Sequence, residues 1–300
     1  MRQRRRLQFP CLRDSSRSDS LPFIRKFSAK EIRKATDEFS MILGSGSYGT
    51  IYRAQLPNGQ VAAVRRAGPL QEGKEDSFRK EVQLLGCLHH RHLVRLLGFS
   101  EGDNRFLVFD HMENGSLKEY LHDPLRTPLN WRTRLQIAID VASALEYLYY
   151  FCDPPVYEVS LNSNTVLLDE NFVAKLSEVG FLKCDCNQSS ESESSCSRDH
   201  IDERSKNLIF QFGLLVLELV TGQSLGGEDG EVVQWVQDSR FAYSMHNMVD
   251  MDLGNNYNSD ELKSLLIVAR LCTRTGDKPL VTISQIHRYL LGKAEHSVRY

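Results

Sequence analysis

The polar and apolar positions change rhythm near Met112. Ahead of it the pattern is short and strand-like. Ser28-Ala29-Lys30-Glu31 reads as a capping box, serine at the N-cap and glutamate three residues on. It opens a short helix to about Phe39, with Ile32, Ala35 and Phe39 on one side. Strand-like runs follow at 41–43, 50–56 and 61–66, and Pro57-Asn58-Gly59 supplies a hairpin turn between the last two. Residues 72–88 carry Phe78, Val82 and Leu85 at helical spacing. Runs at 94–99 and 105–110 complete a predicted five-stranded antiparallel sheet.

Beyond Met112 the period becomes helical. Ser116 caps a short helix to Leu121, and residues 130–150 place Leu135, Ile139, Ala142, Leu145 and Leu148 at 3–4 spacing. Two short apolar runs, 165–168 and 173–176, flank Asp169-Glu170-Asn171 and predict a tight hairpin. Residues 187–200 hold no apolar side chain except Cys196, so this run is expected to be disordered. Helices are predicted over 205–222, 230–238, 259–274 and 281–291. The fold class is α+β: a small β-rich lobe, one connection, a larger helical lobe and a cleft between them.

Composition narrows the class. Apolar residues make up 41% and charged residues 25% of 300, an ordinary globular balance with chain enough for a two-lobed domain. A net charge of −2 gives no reason to expect nucleic-acid binding. The charge is uneven, however: residues 1–26 hold eight Lys/Arg against two Asp, leaving the leader near +6 and the remainder near −8. That leader is either a solvated flexible arm or a contact for an anionic membrane surface, at roughly 1 kcal/mol per well-placed basic residue. Cys11 beside it is a palmitoylation candidate; the first six residues lack an apolar signal core, and Arg2 stands where myristoylation needs glycine. Seven cysteines, an odd number, argue against a disulfide framework and for a reducing compartment. No apolar run reaches the ~18 residues of a membrane span. The longest, 208–220, is interrupted by Gln211, Gly213 and Glu218 and reads as a buried helix.

Six phrases in fixed order carry a resemblance: Phe27-Ser28 through Ala35-Thr36; Leu43-Gly44-Ser45-Gly46-Ser47-Tyr48-Gly49; and His89-His90-Arg91-His92-Leu93-Val94. The others are Glu113-Asn114-Gly115-Ser116-Leu117, Leu167-Leu168-Asp169-Glu170-Asn171-Phe172, and Leu217-Glu218-Leu219-Val220-Thr221-Gly222. With these the chain resembles the kinase domains of plant receptor-like kinases, the branch that includes animal Pelle. The resemblance covers about 27–291 and implies a bilobal protein-kinase-like fold. Its N-lobe would be 27–110 and its C-lobe 113–291, behind a leader at 1–26 and ahead of a tail at 292–300.

What the resemblance implies for chemistry is mostly loss. A kinase catalytic loop, H-R-D-x-K-x-x-N, supplies a carboxylate for the attacking hydroxyl and an amide for Mg²⁺. Here the run is Glu158-Val159-Ser160-Leu161-Asn162-Ser163-Asn164-Thr165. Ser160 replaces the base, Asn162 the phosphate-balancing lysine, Thr165 the metal-binding amide, and Glu178 of Glu178-Val179-Gly180 the metal-binding aspartate. Glu158 is implied to pack inward against that last triplet. Val159 replaces an activation-loop anchor, and Leu208 the aspartate that braces the catalytic loop from the next helix. Only 32 residues separate Gly180 from Gly213, with no A-P-E phrase for peptide docking.

The nucleotide side is better kept. Gly44, Gly46 and Gly49 either offer backbone N–H groups to phosphates or form a plain hairpin. Arg65 stands for the phosphate-gripping lysine, a non-conservative exchange, and its implied partner is Glu81. Asp110 and Met112 lie on the connection that would meet a nucleotide base. These residues imply weak, Mg²⁺-independent ATP binding and no metal. Cys184, Cys186, Cys196 and His200 match no common zinc-finger spacing. The six serines within 189–197, beside Glu191 and Glu193, read either as a phosphorylation target or as a solvated loop. The expectation is a pseudokinase, a scaffold or decoy for other receptor-like kinases or signalling proteins, in the cytoplasm or at the inner membrane face. A weak serine/threonine kinase and a decaying gene copy are its rivals.

Overall fold

The computed structural model describes residues 7–8, 24–46, 49–67, 75–102, 104–180, 198–225, 230–274, 276 and 280–297. Most of the leader, the tip of the glycine loop, the serine-rich run and the proposed Cys/His group lie outside the described side chains.

Strands β1 (Leu7–Gln8) and β2 (Arg25–Lys26) precede helix α1 (Ala29–Ala35), whose capping box forms as expected. Next come β3 (Ile42–Gly46), β4 (Gly49–Gln55), β5 (Val61–Arg66), helix α2 (Glu75–Cys87), β6 (Leu96–Ser100) and β7 (Phe106–Asp110). The sheet has six strands in the order β2-β6-β7-β5-β4-β3, against the five expected. The extra strand is β2, which pairs in parallel with β6 through Arg25 opposite Gly98 and Lys26 opposite Phe99. Two charged residues carry no strand pattern, so their pairing was invisible to periodicity.

β7 is buried on both faces, and that decides the layering. Phe106 and Val108 join Phe27, Ile32, Leu56 and Val64 in a small core under α1. Leu107 and Phe109 join Phe78, Val82 and Leu85 of α2 in the large core that continues through the second lobe.

The second lobe contains α3 (Leu117–His122), α4 (Trp131–Glu146) with a π-helical turn at Tyr147–Phe151, and β8 (Cys152–Asp153), which pairs in parallel with β1. β9 (Val166–Leu168) and β10 (Ala174–Leu176) make the antiparallel hairpin read from the sequence. Helices α5 (Arg198–Thr221), α6 (Gly230–Gln237), α7 (Phe241–Ser244), α8 (Ser259–Cys272) and α9 (Ile283–Ser297) complete it. α5 begins seven residues earlier than predicted and takes in Arg198–His200, which polarity had assigned to disorder. No described helix is long and apolar enough to cross a membrane.

Candidate active-site cleft

The candidate site residues lie on the β3–β4 hairpin, on β5, at the end of β7 and on the loop from Tyr157 to Thr165. The glycines of the hairpin differ in what they answer to. A Cβ at Gly44 would meet open space. Gly49 has φ +111°, and a Cβ there would run into the Arg66 carbonyl of the neighbouring strand. Gly46 pairs with Gly49 in the ladder. Gly49 therefore has a steric reason to be glycine that involves no ligand.

Arg65, on β5, is 6% exposed and forms an ion pair with Glu81 of α2. Its guanidinium carbon lies 5.9 Å from the Phe109 ring centroid. The cation is thus held on two sides, by a carboxylate and by an aromatic face. Asp110 ends β7, and its carboxylate accepts from Arg95 Nε at 3.1 Å and Gln60 Nε2 at 3.2 Å. The Asp110 side chain is engaged by those neighbours, and Met112 is buried with its carbonyl accepting the Gly115 N–H at 3.2 Å. Burial lowers the His111 pKa between them.

The loop is closed on itself. Thr165 is 5% exposed, and its hydroxyl lies 2.7 Å from the Ser160 carbonyl and 3.0 Å from that of Asn162. It also accepts the Asn162 N–H at 3.0 Å. The Asn162 side-chain amide stands 3.5 Å from Ser160 Oγ. On one flank the loop pairs with the Glu178 strip: Ser160 N–H donates to the Glu178 carbonyl at 3.1 Å, Val159 bridges Val179, and Gly180 N–H donates to the Glu158 carbonyl at 2.7 Å. Gly180 has φ +74°, and a Cβ there would lie 2.5 Å from Leu84 of α2.

On the other flank lies α5. Arg204 forms an ion pair with Glu158, Gln211 Oε1 accepts the Leu161 N–H at 3.3 Å, and Glu218 Oε1 accepts the Ser163 hydroxyl at 2.7 Å. His122 Nε2 also lies 2.7 Å from that Glu218 oxygen. Two expectations are corrected here. Glu158 joins the Glu178 strip through its backbone carbonyl, while its carboxylate pairs with Arg204 of α5. Leu208 is 2% exposed and apolar as read, yet the loop keeps a brace from this helix, supplied one turn later by Gln211.

A family model described as protein tyrosine and serine/threonine kinase matches residues 38–225. The chain belongs to this kinase family. It is also similar to plant receptor-like kinases. It is 38% identical over 290 residues to a probable receptor-like protein kinase of Arabidopsis thaliana, covering 91% of this chain and 44% of that protein. It is 31% identical over 279 residues to calcium/calmodulin-regulated receptor-like kinase 2 of the same species, covering 89% and 63%. The chain therefore spans about half to under two thirds of these relatives. Among solved structures it is similar to the pseudokinase domain of BIR2, an immune regulator of the RLK/Pelle family. That match has a TM-score of 0.75 and 27% identity, and covers 90% of this chain and 85% of that one.

In the kinase frame, Arg65 and Glu81 meet, and Ser160, Asn162, Thr165 and the Glu178 backbone converge on one loop. Sequence reasoning missed Arg204, Gln211, Glu218 and His122. Gln211 and Glu218 were read there only as interruptions of the apolar run 208–220, and Arg204, seven residues before Gln211, lies in the polar first half of the helix. Among the described residues no group of three or more His, Cys, Asp or Glu is placed to hold a metal ion.

Proposed function

We propose that this kinase-fold chain is a pseudokinase of the receptor-like type, working by binding rather than by phosphotransfer. The observation that carries this reading is the commitment of the Thr165 hydroxyl to the Ser160 and Asn162 backbone. A kinase needs an oxygen ligand at that position turned toward Mg²⁺ and a carboxylate at position 160. Here one group is committed to the loop's own turn, and the other is a neutral hydroxyl that cannot take up the proton of an attacking hydroxyl at neutral pH. The donor set does not fit a divalent cation: among the described residues of the loop and its flanking strip the carboxylates are Glu158, which is paired with Arg204, and Glu178, and hard cations need several oxygens.

The nucleotide fit is better, though partial. The hairpin glycines and the connection at Asp110 and Met112 stand where the kinase resemblance puts an adenosine phosphate, whereas Arg65 is buried against Glu81 and Phe109. ATP binding on this reading is weak and indifferent to Mg²⁺. The partners are other receptor-like kinases or signalling proteins, met in the cytoplasm or at its membrane face through the basic leader. A thermal-shift titration with ATP, with and without Mg²⁺, tests the account. A small shift equal in both conditions is expected, and a shift that requires Mg²⁺ contradicts it.

One observation favours the rival, a weak serine/threonine kinase: the Arg65–Glu81 pair is formed, as an active kinase requires of its lysine and glutamate. Loss of a general base alone costs ~10²–10⁴-fold in rate, so a trace of activity is compatible with that pair.

A further inference from the structure

Arg204, Gln211 and Glu218 are separated by seven residues each, so they fall on one stripe of α5 that drifts only ~20° per step. Their partners follow in the same order along the loop: Glu158, Leu161 and Ser163. Fourteen residues of helix rise about 21 Å, and the five-residue path from Glu158 to Ser163 reaches at most about 17 Å, a difference that the long Arg204 and Glu158 side chains span. The loop therefore runs alongside the helix, held near its start, middle and end.

The three contacts differ in kind. Arg204–Glu158 is at the surface, with side chains 53% and 30% exposed. Gln211 satisfies a backbone N–H, a group that burial would otherwise leave without a partner. Glu218 is 6% exposed and joins Ser163 from the loop to His122 from α3. We infer that this stripe is a positioning device, which holds the catalytic loop in register with α5 in place of an acid at position 208. The loop is then preformed, with the neutral side chains of Asn162 and Asn164 exposed, rather than a collapsed remnant. This inference concerns loop order and stands whether or not the protein transfers phosphate.

The test is local hydrogen exchange on the whole chain. Gln211→Leu is expected to speed exchange of the 158–165 amides about tenfold, as expected when one net hydrogen bond is lost from a local opening equilibrium. Gln211→Glu keeps an Oε acceptor and is expected to restore protection. Leu208→Asp added to Gln211→Leu is also expected to restore it, since the acceptor returns one turn earlier. Equal exchange in Gln211→Leu and Gln211→Glu would overturn the proposal, as would an unchanged loop in both. If Gln211→Leu does not fold, Arg204→Ala tests the exposed end of the stripe. Faster exchange at Glu158 and Val159 is expected, with rescue by Arg204→Lys, and an unaltered rate there overturns it.

Discussion

The Thr165 hydroxyl lies 2.7 Å from the Ser160 carbonyl. The residue at an expected metal position thus ties down the residue at the expected base position, and both belong to one self-contained turn. Thr165→Val should therefore cost stability. The variant keeps the shape but leaves the Asn162 N–H without its acceptor, which predicts a loss of about 1–2 kcal/mol. Urea denaturation measures it. A neutral result would mean that the turn does not depend on the hydroxyl.

The Arg65–Glu81 pair predicts a pattern across three variants. Arg65→Ala leaves Glu81 facing a partly buried site without its cation and should cost about 3 kcal/mol or more. Arg65→Met combined with Glu81→Leu removes both charges and should lie within about 1 kcal/mol of the parent. Arg65→Lys should fall between them, because the planar fork and its contact with Phe109 are lost. Equal stability of the single and double variants would show that the pair contributes nothing.

The glycines of the hairpin should separate. Gly49→Ala meets the Arg66 carbonyl at a left-handed φ and is expected to lower the melting temperature in the absence of any nucleotide. Gly44→Ala, with open space around it, should leave stability within about 0.5 kcal/mol. Matching melting temperatures for the two would contradict the steric account.

Acid should loosen the junction of the lobes. His90 and His92 lie with their rings 5.4 Å apart, His90 stacks on Tyr147 at 4.8 Å, and burial pushes both histidines down to about 4. Each then binds fewer protons folded than unfolded between about pH 6.5 and 4, so stability is full above that window and falls through it. Asp140, its pKa raised by burial, works in the opposite sense at the lower end. A pH series of urea midpoints checks this, and His90→Phe should flatten the fall. A midpoint unchanged from pH 7 to 5 would contradict it.

Much of the fold was legible because its signals are local. The Ser28–Glu31 box, the Pro57-Asn58-Gly59 turn and the 3–4 spacing of α4 each act within a few residues. The Arg65–Glu81 meeting followed from family resemblance and could not have come from spacing. What stayed hidden depends on how elements are set against each other. Whether Gln211 faces the loop turns on the rotation of α5 about its axis, and whether Glu158 faces inward turns on where Arg204 arrives. Two charged residues at β2 join the sheet by backbone pairing with β6, and the contacts Lys26 adds to Glu101 and Phe99 are long-range, so no local pattern marks them.

The central claim is that this kinase fold does not transfer phosphate, and transfer of labelled γ-phosphate from ATP tests it most directly. The purified chain is incubated with Mg²⁺ or Mn²⁺, alone and with a generic protein substrate, beside the Glu178→Ala variant. The account predicts incorporation no higher than a control without protein, unchanged by Glu178→Ala. Incorporation that is present in the parent chain and disappears in that variant would contradict it.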